Sequence, residues 1–134
     1  MNTSKAIILA AGIGSRIKKL SLNKPKCLIK IPGDKMSILS RQIKILKKYN
    51  IKDILVISGY KSHFIKKEVS KFKKVRVKYY PNYKLTNNLN TLLYFKKEIN
   101  DNFICLFADV IFDEKILDIL LKKRGNVVAA VDTK

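Results

Sequence analysis

Short apolar runs alternate along this chain with apolar positions spaced three and four residues apart. Lys5 to Ala10, Ile54 to Ser58, Val75 to Tyr80, Phe103 to Ala108 and Val127 to Val131 read as buried strands. Between them, Met36, Leu39, Ile43 and Leu46 form a helical stripe, as do Ile65, Val69 and Phe72. Leu89, Leu92, Leu93 and Ile99 make a third stripe, and Ile116, Leu117, Leu120 and Leu121 a fourth. The predicted order is βαβαβαβαβ. Turn residues support the boundaries: Pro32-Gly33-Asp34 breaks the chain before the first helix, and Gly125-Asn126 leads into the last predicted strand.

Strands alternating with helices predict an α/β fold, a Rossmann-like three-layer sandwich around a mostly parallel sheet. No linker, repeat or low-complexity tract divides the chain, so residues 1–134 are expected to form one domain. Ligands of such sheets bind beyond the carboxyl ends of the strands. The stretches to inspect are therefore 11–16, 59–61, 81–88, 109–112 and 132–134.

Composition narrows the classes. The chain is 47% hydrophobic, enough to build a core. No apolar run approaches the roughly 18 residues of a membrane span, and the run from Ala6 to Ala11 is too short for a signal peptide. A cytoplasmic protein with no membrane partner is the expectation. Cys27 and Cys105 sit among apolar neighbours and read as buried thiols. The net charge is +19, carried mostly by lysines spread as pairs along predicted helix faces and ends. We read this as a solvated surface rather than a nucleic-acid footprint, and its field favours anionic substrates.

The loop after the first strand reads Leu9-Ala10-Ala11-Gly12-Ile13-Gly14-Ser15-Arg16. Two glycines allow close backbone approach to a ligand and φ values other residues avoid. Successive N–H groups can then face phosphate oxygens, Arg16 adds a planar donor, and Lys26, after Pro25, adds a point charge. By itself the pattern also suits a tight turn after a strand. It is neither a dinucleotide fingerprint, lacking a third glycine, nor a P-loop, lacking Gly-Lys-Ser/Thr. Asp109, at the tip of the fourth strand, is placed as a Mg²⁺ ligand would be. A turn or helix-cap role is the other option, though Asp113 suits the cap better.

Leu9 to Arg16, followed by Pro25-Lys26-Cys27-Leu28-Ile29-Lys30-Ile31, resembles the signature of the nucleotidyltransferase family: sugar-1-phosphate nucleotidylyltransferases and phosphocholine cytidylyltransferases. The resemblance continues through Ile51 to Tyr60 and at Phe107-Ala108-Asp109. Lys19-Leu20-Ser21 departs from the family's frequent Pro-Leu-Thr. The resemblance implies transfer of a nucleoside monophosphate from an NTP to a phosphorylated small molecule, with release of pyrophosphate. It implies that Leu9, Ala10, Ala11, Gly12, Gly14, Ser15 and Arg16 bind nucleotide, that Arg16 and Lys26 are the catalytic cations, and that Asp109 holds Mg²⁺. The family uses a second metal aspartate further along; Asp132 does not match it and stays a weak candidate. The chain therefore reads as a truncated, N-terminal portion. Thr86-Asn87-Asn88 before a helix resembles the phosphocholine branch, which favours CTP. Asn88, and less surely Thr86, would face base or acceptor, unless the segment only caps the helix. A sugar-1-phosphate enzyme and a non-catalytic nucleotide-binding module are the alternatives.

Overall fold

In the computed structural model, residues 3–14, 23–85, 87–99 and 101–133 are described. Its strands are β1 (Lys5–Ala10), β2 (Asp53–Ser58), β3 (Val75–Tyr79) and β4 (Phe103–Phe107); its helices are α1 (Ile38–Lys48), α2 (Ser62–Val69), α3 (Asn88–Tyr94) and α4 (Glu114–Lys122). The strands form one sheet in the order β3-β2-β1-β4, and every pairing is parallel. The expected α/β sandwich is thus what forms.

Side chains alternate across the sheet, and each face builds its own core. Ala6, Ile8 and Ala10 of β1, with Ile54 and Val56 of β2, face Leu39, Ile43 and Leu46 of α1, Ile65 and Val69 of α2 and Leu117 of α4. Ile7 and Leu9, with Leu55 and Ile57, face Tyr80 and Phe95, against which Leu92 and Ile99 pack. The second face has α3 as its only regular helix among the described residues, and its cover is thin.

Capping follows the expected chemistry. Ser37 caps α1 by accepting from the Ser40 N–H, Asn87 caps α3 by accepting from Asn90, and Asp113 caps α4 by accepting from Lys115. Pro32-Gly33 forms the centre of a turn closed by the Asp34 N–H on the Ile31 carbonyl at 2.9 Å, with Gly33 at φ 79°.

Three expectations need correction. Val127 to Val131 is not a strand: Val127 and Val131 are 90% and 76% exposed, and the segment has no ladder partner among the described residues. Strand propensity without a neighbouring strand to share hydrogen bonds does not make a strand. The third stripe is not one helix. α3 ends at Tyr94, where Phe95 turns inward against Tyr80 and Tyr94, and a 3-10 turn, Lys96–Glu98, follows. Leu89 and Leu93 consequently stand exposed. Cys27 is buried as expected, but Cys105, on the thinly covered face of β4, is exposed.

Glu98 ties that 3-10 turn to β3 by accepting from Arg76 and Lys78. The Lys78 and Arg76 hydrogen bonds hold its carboxyl at about 2, below the ordinary 4.5. A depressed carboxylate stabilises the fold above its unfolded value and loses that contribution as pH falls through the folded one. Glu98→Gln should therefore be less stable than the parent above pH 4.5, with the gap closing toward pH 2, measured by urea unfolding across pH. At the end of β2, a Cβ on Gly59 would stand 2.6 Å from the Tyr83 Cβ and 2.7 Å from the Ala11 carbonyl oxygen. Gly59→Ala should cost about 1–3 kcal/mol by overpacking, seen as a lowered Tm.

Candidate nucleotide-binding site

The chain runs from β1 outward through β2 to β3, then returns to place β4 on the other side of β1. The connection that leaves β1 runs to β2 on one side, whereas β4 is reached from β3 and lies on the other side, so the strand order reverses between β1 and β4. Open parallel sheets have their crevice at such a switch point. The cleft of this chain lies there, about 200 Å³ in volume.

One wall of the cleft is the end of β1 with its loop: Leu9, Ala10, Gly12 and Gly14 line it. Gly14 has φ 64°, and a Cβ on it would approach the Lys26 Cβ to 3.3 Å, so the fold itself asks for glycine there. Gly12 differs. Its φ lies outside the left-handed region and a Cβ would meet nothing within 4 Å. The fold does not require this glycine, whereas a ligand lying against the backbone would. Ala11 is not part of the lining; it is buried, and its carbonyl accepts from the Tyr60 N–H at 3.3 Å.

The opposite walls come from two segments distant in sequence. After Pro25, the 3-10 turn Lys26–Leu28 sinks Cys27 into the core at 4% exposure and leaves Lys26 at the cleft. Burial pushes the Cys27 thiol up to about 12, so it stays protonated and is no nucleophile. The segment before it is tethered from β2's far end: the Lys61 ammonium donates to the Asn23 carbonyl at 2.6 Å, and Lys24 lies over the Phe64 ring. The third wall is Phe107, Ala108 and Asp109, beyond β4. The Lys26 Nζ lies 2.9 Å from the Asp109 Oδ2, across 83 residues of sequence. Asn88, first residue of α3, completes the rim.

Leu9, Ala10, Gly12, Gly14, Lys26, Asn88 and Asp109 thus line one cleft. Ser15, Arg16 and Thr86 lie outside the described residues. Asp132 is exposed and is not part of the lining. The only histidine, His63, is exposed on α2, stacked on Phe64. Among the described residues no three His, Cys, Asp or Glu side chains gather as a metal cage. A lone carboxylate beside a phosphate-sized cleft still suits Mg²⁺, which keeps most of its waters and is commonly held by one or two carboxylates plus substrate phosphates. The cleft volume falls below the ~300–1,000 Å³ of pockets that enclose a whole small molecule, so its described walls fit part of a nucleotide.

The family model for nucleotidyl transferases matches residues 5–130. The chain belongs to the nucleotidyl transferase family. Among curated relatives, the chain is 29% identical over 133 residues to a CTP:phosphoglutamine cytidylyltransferase of Campylobacter jejuni, covering 95% of this chain and 52% of the relative. It is 33% identical over 103 residues to a choline-phosphate cytidylyltransferase of Streptococcus pneumoniae, covering 75% of this chain and 42% of the relative. A solved CTP:phosphocholine cytidylyltransferase from Streptococcus pneumoniae superposes with a TM-score of 0.70 at 36% identity, over 78% of this chain and 44% of that one. The inositol-1-phosphate CTP transferase of T. maritima shares the fold at a TM-score of 0.69 and 18% identity, over 87% of this chain and 47% of that one. The chain thus spans about half the length of these relatives. No helix of the described residues is long and apolar enough to cross a membrane.

The two glycines of the cleft should respond differently to a methyl group. Gly14→Ala should lose about 1–2 kcal/mol of stability, the cost of left-handed backbone for an L-residue. Gly12→Ala should melt with the parent yet bind NTP more weakly. Thermal melts with and without CTP·Mg²⁺ check both.

Proposed function

We propose that this chain grips CTP for transfer of CMP to a phosphorylated small molecule, with release of pyrophosphate. The observation that carries the reading is the meeting of the glycine loop, Lys26 and Asp109 in one cleft at the switch point of the sheet. Cytidylyltransferases among its relatives favour CTP over other nucleotides.

The chemistry asks little covalent work of the protein. An oxygen of the acceptor's phosphate attacks the α-phosphorus of CTP; the new P–O bond forms as the bond to the β-phosphate oxygen breaks, and pyrophosphate leaves with that electron pair. No proton need move, so the site needs no histidine. It must hold two anions together and neutralise the charge that gathers on the leaving group. Backbone N–H groups around Gly12 to Gly14 serve the triphosphate. The Lys26 ammonium screens the attacked or leaving phosphates, and we assign Arg16, from the sequence pattern, to the same anion. Asp109 would hold Mg²⁺, which would supply positive charge to offset that of the phosphates. Without ligand, Lys26 and Asp109 neutralise one another at the cleft. Phosphate and a divalent cation together offer each a new partner of opposite sign. Asn88, on the rim, reads the base or the acceptor through its amide.

Titration of the chain with CTP and Mg²⁺, followed by an assay of pyrophosphate release with phosphocholine as trial acceptor, tests the reading. Lys26→Ala should cut turnover by roughly 10²–10³-fold, the scale of removing one preorganised charge-stabilising group; an unchanged rate would remove Lys26 from the phosphate site. A second reading is a non-catalytic nucleotide-binding module. It is favoured by the lone carboxylate in the described lining, and CTP binding without pyrophosphate release would select it.

A further inference from the structure

The buried stripe of α1 carries an amide. Gln42 stands three residues after Leu39 and four before Leu46, both fully buried, and is itself 2% exposed. Its side-chain NH₂ donates to the Phe107 carbonyl at 2.9 Å and to the Val110 carbonyl at 2.8 Å. These two carbonyls flank Asp109. The neighbouring Arg41 donates to the Phe112 carbonyl at 3.2 Å. Two adjacent side chains of one helix therefore pin three carbonyls of the segment from 107 to 112.

The orientation of the amide follows from this network. Turning it over would set Oε1 against two carbonyl oxygens, an arrangement with no proton to share. As placed, Oε1 is buried and has no hydrogen-bond partner among the described residues. A Leu or Met at this point of the stripe would fill the core without leaving such an orphan. Packing alone therefore does not explain a glutamine here, while the two carbonyls beside Asp109 do.

We infer that Gln42 is a positioning residue for Asp109: through both N–H groups it fixes the turn that presents the carboxylate at the cleft. The inference rests on reading Asp109 as the metal carboxylate. Its signature is selective. Metal-free contacts of the nucleotide with the glycine loop and Lys26 feel this turn only indirectly, through the Lys26–Asp109 ion pair and the Ala108 N–H on the Leu9 carbonyl, whereas the contribution of Mg²⁺ needs the Asp109 carboxylate itself.

The test is calorimetric titration of CTP into the 134-residue chain, once with EDTA and once with Mg²⁺, for the parent, Gln42→Met and Gln42→Glu. Methionine keeps the bulk and removes both donors. Glutamate keeps the shape and, buried against carbonyl oxygens, takes up a proton and donates only once; it decides the question if the methionine variant does not fold. The expected result is a roughly tenfold loss of the Mg²⁺-dependent tightening, as for one or two hydrogen bonds, with a clearly smaller change of affinity in EDTA. Equal Mg²⁺-dependent tightening in parent and variants overturns the role of Gln42 and leaves the proposed function standing. An equal loss with and without metal also overturns it, because that is the behaviour of a core residue. If Mg²⁺ fails to tighten CTP binding in the parent, the reading of Asp109 fails and this inference falls with it, before any substitution is considered.

Discussion

The Ala108 N–H donates to the Leu9 carbonyl at 3.0 Å, one step beyond the last paired residues of β1 and β4. That bond carries the register of the sheet into the two loops that form the cleft. Leu9 opposite Phe107 sets the glycine loop level with Asp109. On the other side of β1, Ala10 opposite Ser58 brings Gly59 and Tyr60 beside Ala11. The central strand is thus held from both flanks at the point where it gives way to loop. A slip of one residue in either pairing would turn alternate side chains to the wrong face and separate Lys26 from Asp109.

Much of this was legible in the sequence, for identifiable reasons. β1 and β2 are central strands buried on both faces, so their apolar runs are uninterrupted and easy to read. The switch point follows from the alternation of strands and helices together with the position of the glycine loop. Gly14 and Lys26 could be singled out because one sits in a Gly-x-Gly loop after a strand and the other in a Pro-Lys step that resembles the family signature. Gln42 could not be singled out by motif. Its signal was fainter: an amide on a stripe otherwise made of Leu39, Ile43 and Leu46. Lys61, whose ammonium steadies the Asn23 segment, was hidden among many lysines. The last expected strand failed for the opposite reason. Valines and alanines carry a propensity, but a strand is a relation between two segments, and propensity says nothing of the second.

The two faces of the sheet are unequally dressed. α1, α2 and α4 cover one, and their stripes are buried. On the other, Phe107, Leu89 and Leu93 are about half exposed or more. Asn88 belongs to this lighter side, while Lys26 and Gln42 are anchored on the heavier one. The Lys26 wall of the cleft, proposed to meet phosphate, therefore rests on the heavily covered face of the sheet, and Asn88, proposed to read base or acceptor, rests on the thinly covered one. Tight geometry is needed where charge is handled, while recognition tolerates side-chain adjustment.

β4 pairs with β1 alone among the described strands, so its other margin offers backbone N–H and C=O groups to any extended segment that approaches. Sheets commonly guard such margins with charge. Here β4 itself, Phe-Ile-Cys-Leu-Phe, carries none, and what opposes the approach of a second copy is collective: the mutual repulsion of two chains of net charge +19. That protection is made of long-range field, which dissolved salt erases within about 10 Å at 0.1 M. Repulsion between copies and attraction of anionic ligands thereby share one origin, and ionic strength weakens both together.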